Sequence, residues 1–357
     1  MSWIALSGRD IEWTCEDTFG ATPADRHALL TRGSMVIETR LSPYGRPQTL
    51  LGYERRHPWS GRISLQAVPG GGVVVVLNQG TSHFHTVIPP ESGARTETLR
   101  LTLSWDAPAR WGRLVVERPE SSGFRMIETP PPPPLMLEDI FTMIHRPQLC
   151  ERDADVVFFA VSNKIEPVGP QPTLAANSRI TTETGPKRVS DIREGDLVRT
   201  LGGALQPVVK VVKRNVPALG SFQPVRLRAP YLGLVRDVLV APHQRLVIGG
   251  SEVEYIFGHE TVLIPADALA NGFTGLRDTK RSFVQYYQLV LPRHDALMIA
   301  GAAFESLYLG RLRRKRDMVP ATLLADMDPR VFPEHVRAGY QVLRPFEAVT
   351  LAEARAA

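Results

Sequence analysis

The residues of this 357-residue chain that could do chemistry fall at a few places. His83 and His85 flank Phe84 in a stretch expected to be a strand. Side chains two positions apart share one strand face, so both imidazoles could meet one metal ion, and no third ligand is identifiable. Two apolar strand pairs, over residues 237–248 and 284–299, are interrupted by Pro242 and Pro292. Proline inside a strand pair marks an edge or a bulge, and a bulge re-aims side chains, so both spots are candidate sites. Cys15 and Cys150 are the only cysteines, which excludes a disulfide framework and a Cys-rich zinc site. Glu151 beside Cys150 raises the thiol pKa, so no reactive thiol is expected there. Arg311, Arg313, Arg314, Lys315 and Arg316 form a basic run that reads as a solvated helix face. Such a run can meet nucleic acid or an anionic surface. No zinc finger, RNA-binding aromatic motif or helix-turn-helix accompanies it, so nucleic acid is not an expected partner.

The elements that must position these residues are mostly strands. The composition, 43% apolar and 22% charged with a formal net charge of +5, is that of a globular protein and excludes a wholly disordered or fibrous chain. The longest aliphatic run, residues 73–77, is far short of the ~18–20 residues a membrane-spanning helix needs. Met1, Ser2, Trp3 and Ile4 provide neither a basic segment nor a long apolar one, so no cleavable signal peptide is seen. The default expectation is a cytoplasmic protein, with export that needs no signal peptide left open.

Five prolines, Pro130 to Pro134, remove five backbone donors and favour an extended chain. Before them, strands alternate with period two: Leu99, Leu101, Leu103 and Trp105 share one face, as do Ile63, Leu65 and Ala67. Short turns separate the strands, which indicates an antiparallel sandwich over residues 1–129. The strand order resembles the laminin-G and concanavalin type of jelly roll, a family that often binds sugars or proteins, frequently with calcium. That resemblance implies a protein or glycan partner. No cluster of Asp, Asn and Glu suggests calcium, and no cofactor is implied. Residues 130–172 read as a proline-rich linker with a short amphipathic helix over 135–146. Residues 173–310 read as a second β domain and 311–357 as a helical appendage that packs on the β domain or on a partner. The fold class expected is mainly β.

Within the second domain, residues 182–198 run from Thr182-Glu183-Thr184-Gly185 through Val189-Ser190-Asp191-Ile192 to Gly195-Asp196-Leu197-Val198. This opening resembles that of the Hint domain, the hedgehog/intein fold, in the bacterial type found in alphaproteobacteria. Val240-Ala241-Pro242-His243-Gln244-Arg245-Leu246 resembles the family's second block, and residues 286–299 with Arg293-His294 resemble its closing strands. The resemblance implies a nucleophile at the domain's first residue, a histidine in the second block that protonates the departing nitrogen, and donors that hold an oxyanion.

Counting back from Gly185 places Thr173 at the nucleophile position. The histidine column falls on Gln244, with His243 one residue earlier. A bulge at Pro242 would bring His243 back, so it stays a candidate catalytic residue with Thr173 and His294. Gln288 occupies a place where relatives often carry another histidine. Gln244 and Arg245 are expected as hydrogen-bonding partners, and Asp196 as a turn anchor. A Thr hydroxyl is a weaker nucleophile than a Cys thiolate. No His-Asn pair, which splicing needs, occurs in the chain. The expectation is a divergent Hint module with a structural or binding role. The alternative is self-cleavage before Thr173 by an N–O acyl shift, and a further one is a glycan-binding first domain.

Overall fold

The structure, a computed structural model, describes residues 2–20, 26–90, 98–120, 123–336 and 338–354. The chain divides into two units, Met1–Gly169 and Pro170–Ala357.

The first unit is an antiparallel β-sandwich. One sheet has seven strands in the order Phe124–Thr129, Trp111–Glu117, Thr98–Asp106, Arg32–Arg40, Val156–Ser162, Trp3–Gly8 and Glu12–Thr14. The other has five, Cys150–Glu151, Gln48–Arg55, Gly61–Val68, Gly72–Gln79 and Ser82–Ile88. Ile63, Leu65 and Ala67 meet Leu99, Leu101, Leu103 and Trp105 in one buried core, as the period-two pattern requires. The seven-stranded sheet is buried on its other face as well. There Arg100 lies between Glu38, at 3.2 Å, and Glu117, at 3.9 Å. Alternation of apolar and polar residues does not reveal that second buried face, because charges that find partners can be buried too.

The expected linker over 130–172 is corrected by the structure. The helix Leu137–His145 forms, and its Leu137, Ile140, Met143 and Ile144 pack into the sandwich core. After it, Val156–Ser162 lies between Arg32–Arg40 and Trp3–Gly8 as an interior strand of the larger sheet. Its sequence, VVFFAVS, has no alternation because both faces are covered, which is how an interior strand reads. The prolines end one strand without ending the domain.

The second unit holds a six-stranded and a nine-stranded sheet. The chain passes repeatedly from one to the other. Leu174–Ala175, Val238–Val240 and Phe283–Val290 belong to the first sheet. The strands that follow them, Arg179–Thr182, Arg245–Gly249 and Ala296–Ile299, belong to the second. Leu174 pairs with both Tyr287 and Val240. The hairpin from Ala296–Ile299 to Ala302–Glu305 turns at Ala300 and Gly301, with φ of +49° and +95°, as a two-residue hairpin with primed turn geometry requires. A Cβ on residue 301 would lie 2.6 Å from the Gly233 carbonyl oxygen.

The expected helical appendage over 311–357 is corrected in part. Among the described residues of this segment only Pro345–Ala354 is α-helix. Leu312–Arg314 and Val319–Ala321 are single 3₁₀ turns, and Gln341–Val342 is a strand parallel to Thr261–Pro265. Pro320, Pro329 and Pro333 break any longer helix. Leu312, Leu324, Met327 and Phe332 of this segment pack with Val212, Val290, Leu307 and Leu309, so it covers the β structure of its own unit.

Candidate functional site

Thr173 sits where the two strands that flank Leu174 converge. Its N–H donates to the Tyr287 carbonyl at 3.2 Å, and its own carbonyl accepts from the Ala241 N–H at 2.7 Å. Just upstream, the buried Arg214 donates from Nη1 to Gln171 Oε1 at 2.6 Å, which holds the segment entering Thr173. The Thr173 side chain is buried.

Its hydroxyl donates to Gln244 Oε1. It accepts from Gln288 Nε2 at 2.8 Å. The orientation of both carboxamides follows from their other partners. Gln244 Nε2 donates to the Arg245 carbonyl at 2.7 Å and to the Glu305 carbonyl at 3.1 Å. Both amide hydrogens are thereby used, and only Oε1 is left to face Thr173. Gln288 Oε1 accepts from the Leu289 N–H at 3.1 Å, which turns its Nε2 toward Thr173, Gln244 and the Glu305 carbonyl.

Gln244 rather than His243 reaches Thr173 because residues 241–244 form a turn. The Gln244 N–H donates to the Ala241 carbonyl at 3.0 Å across Pro242 and His243, with proline in the position a turn of this kind favours. Gln244 is the first residue out of that turn and points inward. His243 occupies the turn itself and is only half-buried.

Arg245 and His294 gather instead on the Glu305 carboxylate. Arg245 Nη1 lies 3.3 Å from Oε1, and His294 Nε2 lies 3.0 Å from the same oxygen. His294 Nδ1 accepts from the Gly339 N–H at 2.9 Å. That turns its Nε2 toward Glu305. Glu305 therefore connects the two groups: its carbonyl takes both glutamines and its carboxylate takes Arg245 and His294. The sequence singled out neither Glu305 nor Gln288 as a site residue. The only signal for Gln288 is its alignment with a histidine column, and a backbone carbonyl leaves none.

Asp196 stands apart from this cluster, at a turn. It accepts from Lys187 Nζ at 2.6 Å and from the Arg193 N–H at 2.8 Å. The Lys187 hydrogen bond, followed by that from Arg193, holds its carboxyl below the usual carboxylate range. His83 and His85 lie exposed on one face of Ser82–Ile88, with Phe84 buried on the other. His83 Nδ1 lies 3.1 Å from Asn78 Oδ1. Among the described residues no group of three or more His, Cys, Asp or Glu side chains is arranged to hold a metal ion.

A two-sheet β unit in which the chain passes three times from the first sheet to the second, with Thr173 enclosed by the strands that lead into the second and third of these crossings, is the architecture on which this cluster rests. Residues 172–311 match the Hint domain family and form a Hint domain in this chain. The chain is similar to the bacterial intein-like domain from Clostridium thermocellum, at 12% identity and a TM-score of 0.30. That match covers 38% of this chain and 99% of the other. The chain is also similar to the CBM40 domain of the Ruminococcus gnavus IT-sialidase, solved bound to α2,3-sialyllactose. The identity is 15% and the TM-score 0.30, over 46% of this chain and 90% of the other. No curated protein matches the chain. Among the described residues no helix is long and apolar enough to cross a membrane.

Proposed function

We propose that the Hint domain of this chain does not process its own backbone and serves a structural or binding role. One observation carries this reading: the Thr173 hydroxyl is held between two carboxamides, Gln244 and Gln288. Attack by Thr173 on the Pro172 carbonyl needs a group to take the hydroxyl proton and an acid to protonate the departing nitrogen. A carboxamide does neither near neutral pH. His294, the titratable candidate nearest in the network, is committed to Glu305 and Gly339. The same bonds that disable attack tie the three crossings together, which supports a structural role for Thr173.

Intact-mass measurement of the freshly expressed chain tests this. A single 39.6 kDa species, unchanged by long incubation with hydroxylamine or thiol, is the expected result. A fragment beginning at Thr173, abolished by Thr173→Ala, overturns it in favour of self-cleavage.

For the first unit, a protein or glycan partner is a separate reading. A small cleft lined by Tyr53, Arg55, Asn78, Gln79 and Asp139 supports it, with Trp59 exposed beside Arg55. An aromatic ring next to convergent polar groups is a common form of small-ligand site. A glycan array probed with the full chain that returns no signal removes the glycan half of this reading.

A further inference from the structure

The basic run of residues 311–316 is an ordered turn, not a helix face. Leu312 is buried among Val290, Leu307, Leu309 and Phe332. Successive bonds, Leu312 N–H to the Leu309 carbonyl, Arg314 N–H to Arg311 and Lys315 N–H to Leu312, fix the backbone around it. Every charged side chain of the run is exposed. Arg314 pairs with Glu334 at 2.8 Å. Arg311, Arg313, Lys315 and Arg316 have no ion pair or side-chain hydrogen bond among the described residues. Of the nearby acids, Asp326 binds Lys210 and Asp328 caps the Arg330 N–H, while the exposed Asp317 directly follows Arg316 and offsets one of the run's charges.

Two exposed valines border this turn. Val336 follows His335, whose N–H donates to the Gly310 carbonyl at 3.0 Å. Val331 precedes Phe332, which packs against the same cluster as Leu312. Val331 is 59% exposed and Val336 53%. In sequence, residues 170–357 hold 25 Lys and Arg against 18 Asp and Glu, a net +7 for the unit. Unpaired cations beside exposed aliphatic side chains match a bilayer surface, where phosphates and acyl chains lie within a few ångströms of each other. A nucleic acid offers phosphates too, but aromatic side chains for base stacking are missing from the run.

We propose that the turn 311–316, with Val331 and Val336, docks the second unit on an anionic lipid surface. Each Lys or Arg close to such a surface contributes about fivefold in affinity at moderate salt. Neutralising four should cost a hundredfold or more.

The test is co-sedimentation of the full chain with vesicles of phosphatidylcholine, with and without about 30% of the anionic lipid phosphatidylserine. Binding only to the anionic vesicles is expected, weakened by high salt. It should be lost in the combined variant Arg311→Gln, Arg313→Gln, Lys315→Gln and Arg316→Gln, whose far-UV circular dichroism matches the unmodified chain. Val331→Ser with Val336→Ser should weaken vesicle binding several-fold, which attraction to a polyanion alone would not do. Equal binding to both vesicle types, no binding, or full binding by the quadruple variant overturns the proposal. So does a single-stranded oligonucleotide that binds more tightly than the anionic vesicles through the same four side chains.

Discussion

Gln288 donates a 2.8 Å hydrogen bond to the hydroxyl of Thr173, joining two buried residues 115 positions apart in the chain. The bond fastens the strand Phe283–Val290, which leads into the third crossing from the first sheet to the second, to the start of the domain, and both partners in it are neutral. The role proposed for the Hint domain rests on that neutrality.

Gln288→Leu should destabilise the second unit by about 1–3 kcal/mol. It removes the donor to Thr173 and to the Glu305 carbonyl and leaves buried polar groups without it. Urea unfolding of the full chain reads this as a lower midpoint for one transition. An unchanged midpoint would mean the cluster contributes nothing to the fold.

Thr173→Cys should still give one intact species. The thiol is the better nucleophile, yet Gln244 and Gln288 remain unable to take or give a proton. Cleavage of this variant before residue 173, seen by intact mass, would show that only the weak hydroxyl had held the reaction back.

Stability should fall on mild acidification through His335. Its Nδ1 accepts from the Leu309 N–H, and its Nε2 faces the Leu291 carbonyl at 3.1 Å. Burial holds its pKa below the ordinary value, with the neighbouring His294 adding to the effect. The unfolded chain, titrating near ~6.5, therefore binds the proton more readily than the folded one. The contribution is complete above that pH and is lost as the pH falls from there through the lower folded value. Between pH 7.5 and 5.5 the Tm of the natural chain should drop further than that of His335→Gln.

In the first unit, Asp139→Ala should cost about 3–5 kcal/mol. Arg55 Nε lies 2.7 Å from Asp139 Oδ1, and the two side chains are 7% and 8% exposed. Removing the carboxylate leaves Arg55 buried beside Tyr53 without its counter-charge. Replacing both, as Arg55→Met with Asp139→Leu, should recover much of the loss in the same unfolding measurement.

The strands of the sandwich were legible because one face of each buries apolar residues, and a period of two records that directly. The strand Val156–Ser162 and the buried ion pair of Arg100 with Glu38 were not. A strand buried on both faces loses its period, and a buried charge looks like a surface one until its partner is seen. The end of the Hint domain was legible, but the form of the segment after it was not. Its apolar residues meet Val212 and Val290, over a hundred and over forty positions before Phe332 in the chain.

By itself the sequence determined that this chain is built mainly from strands and that residues 174–310 resemble the Hint pattern, in which counting back from Gly185 puts Thr173 at the first position and Gln244 in the histidine column. Both facts are local, written in alternation and in short blocks. Whether His243 or Gln244 faces Thr173 was decided by a turn over residues 241–244, and the grouping of His294 and Arg245 on Glu305 by a hairpin closing at Gly301. A shift of one residue reverses the direction of a side chain, and nothing local fixes that shift. Only the pairing of distant strands does.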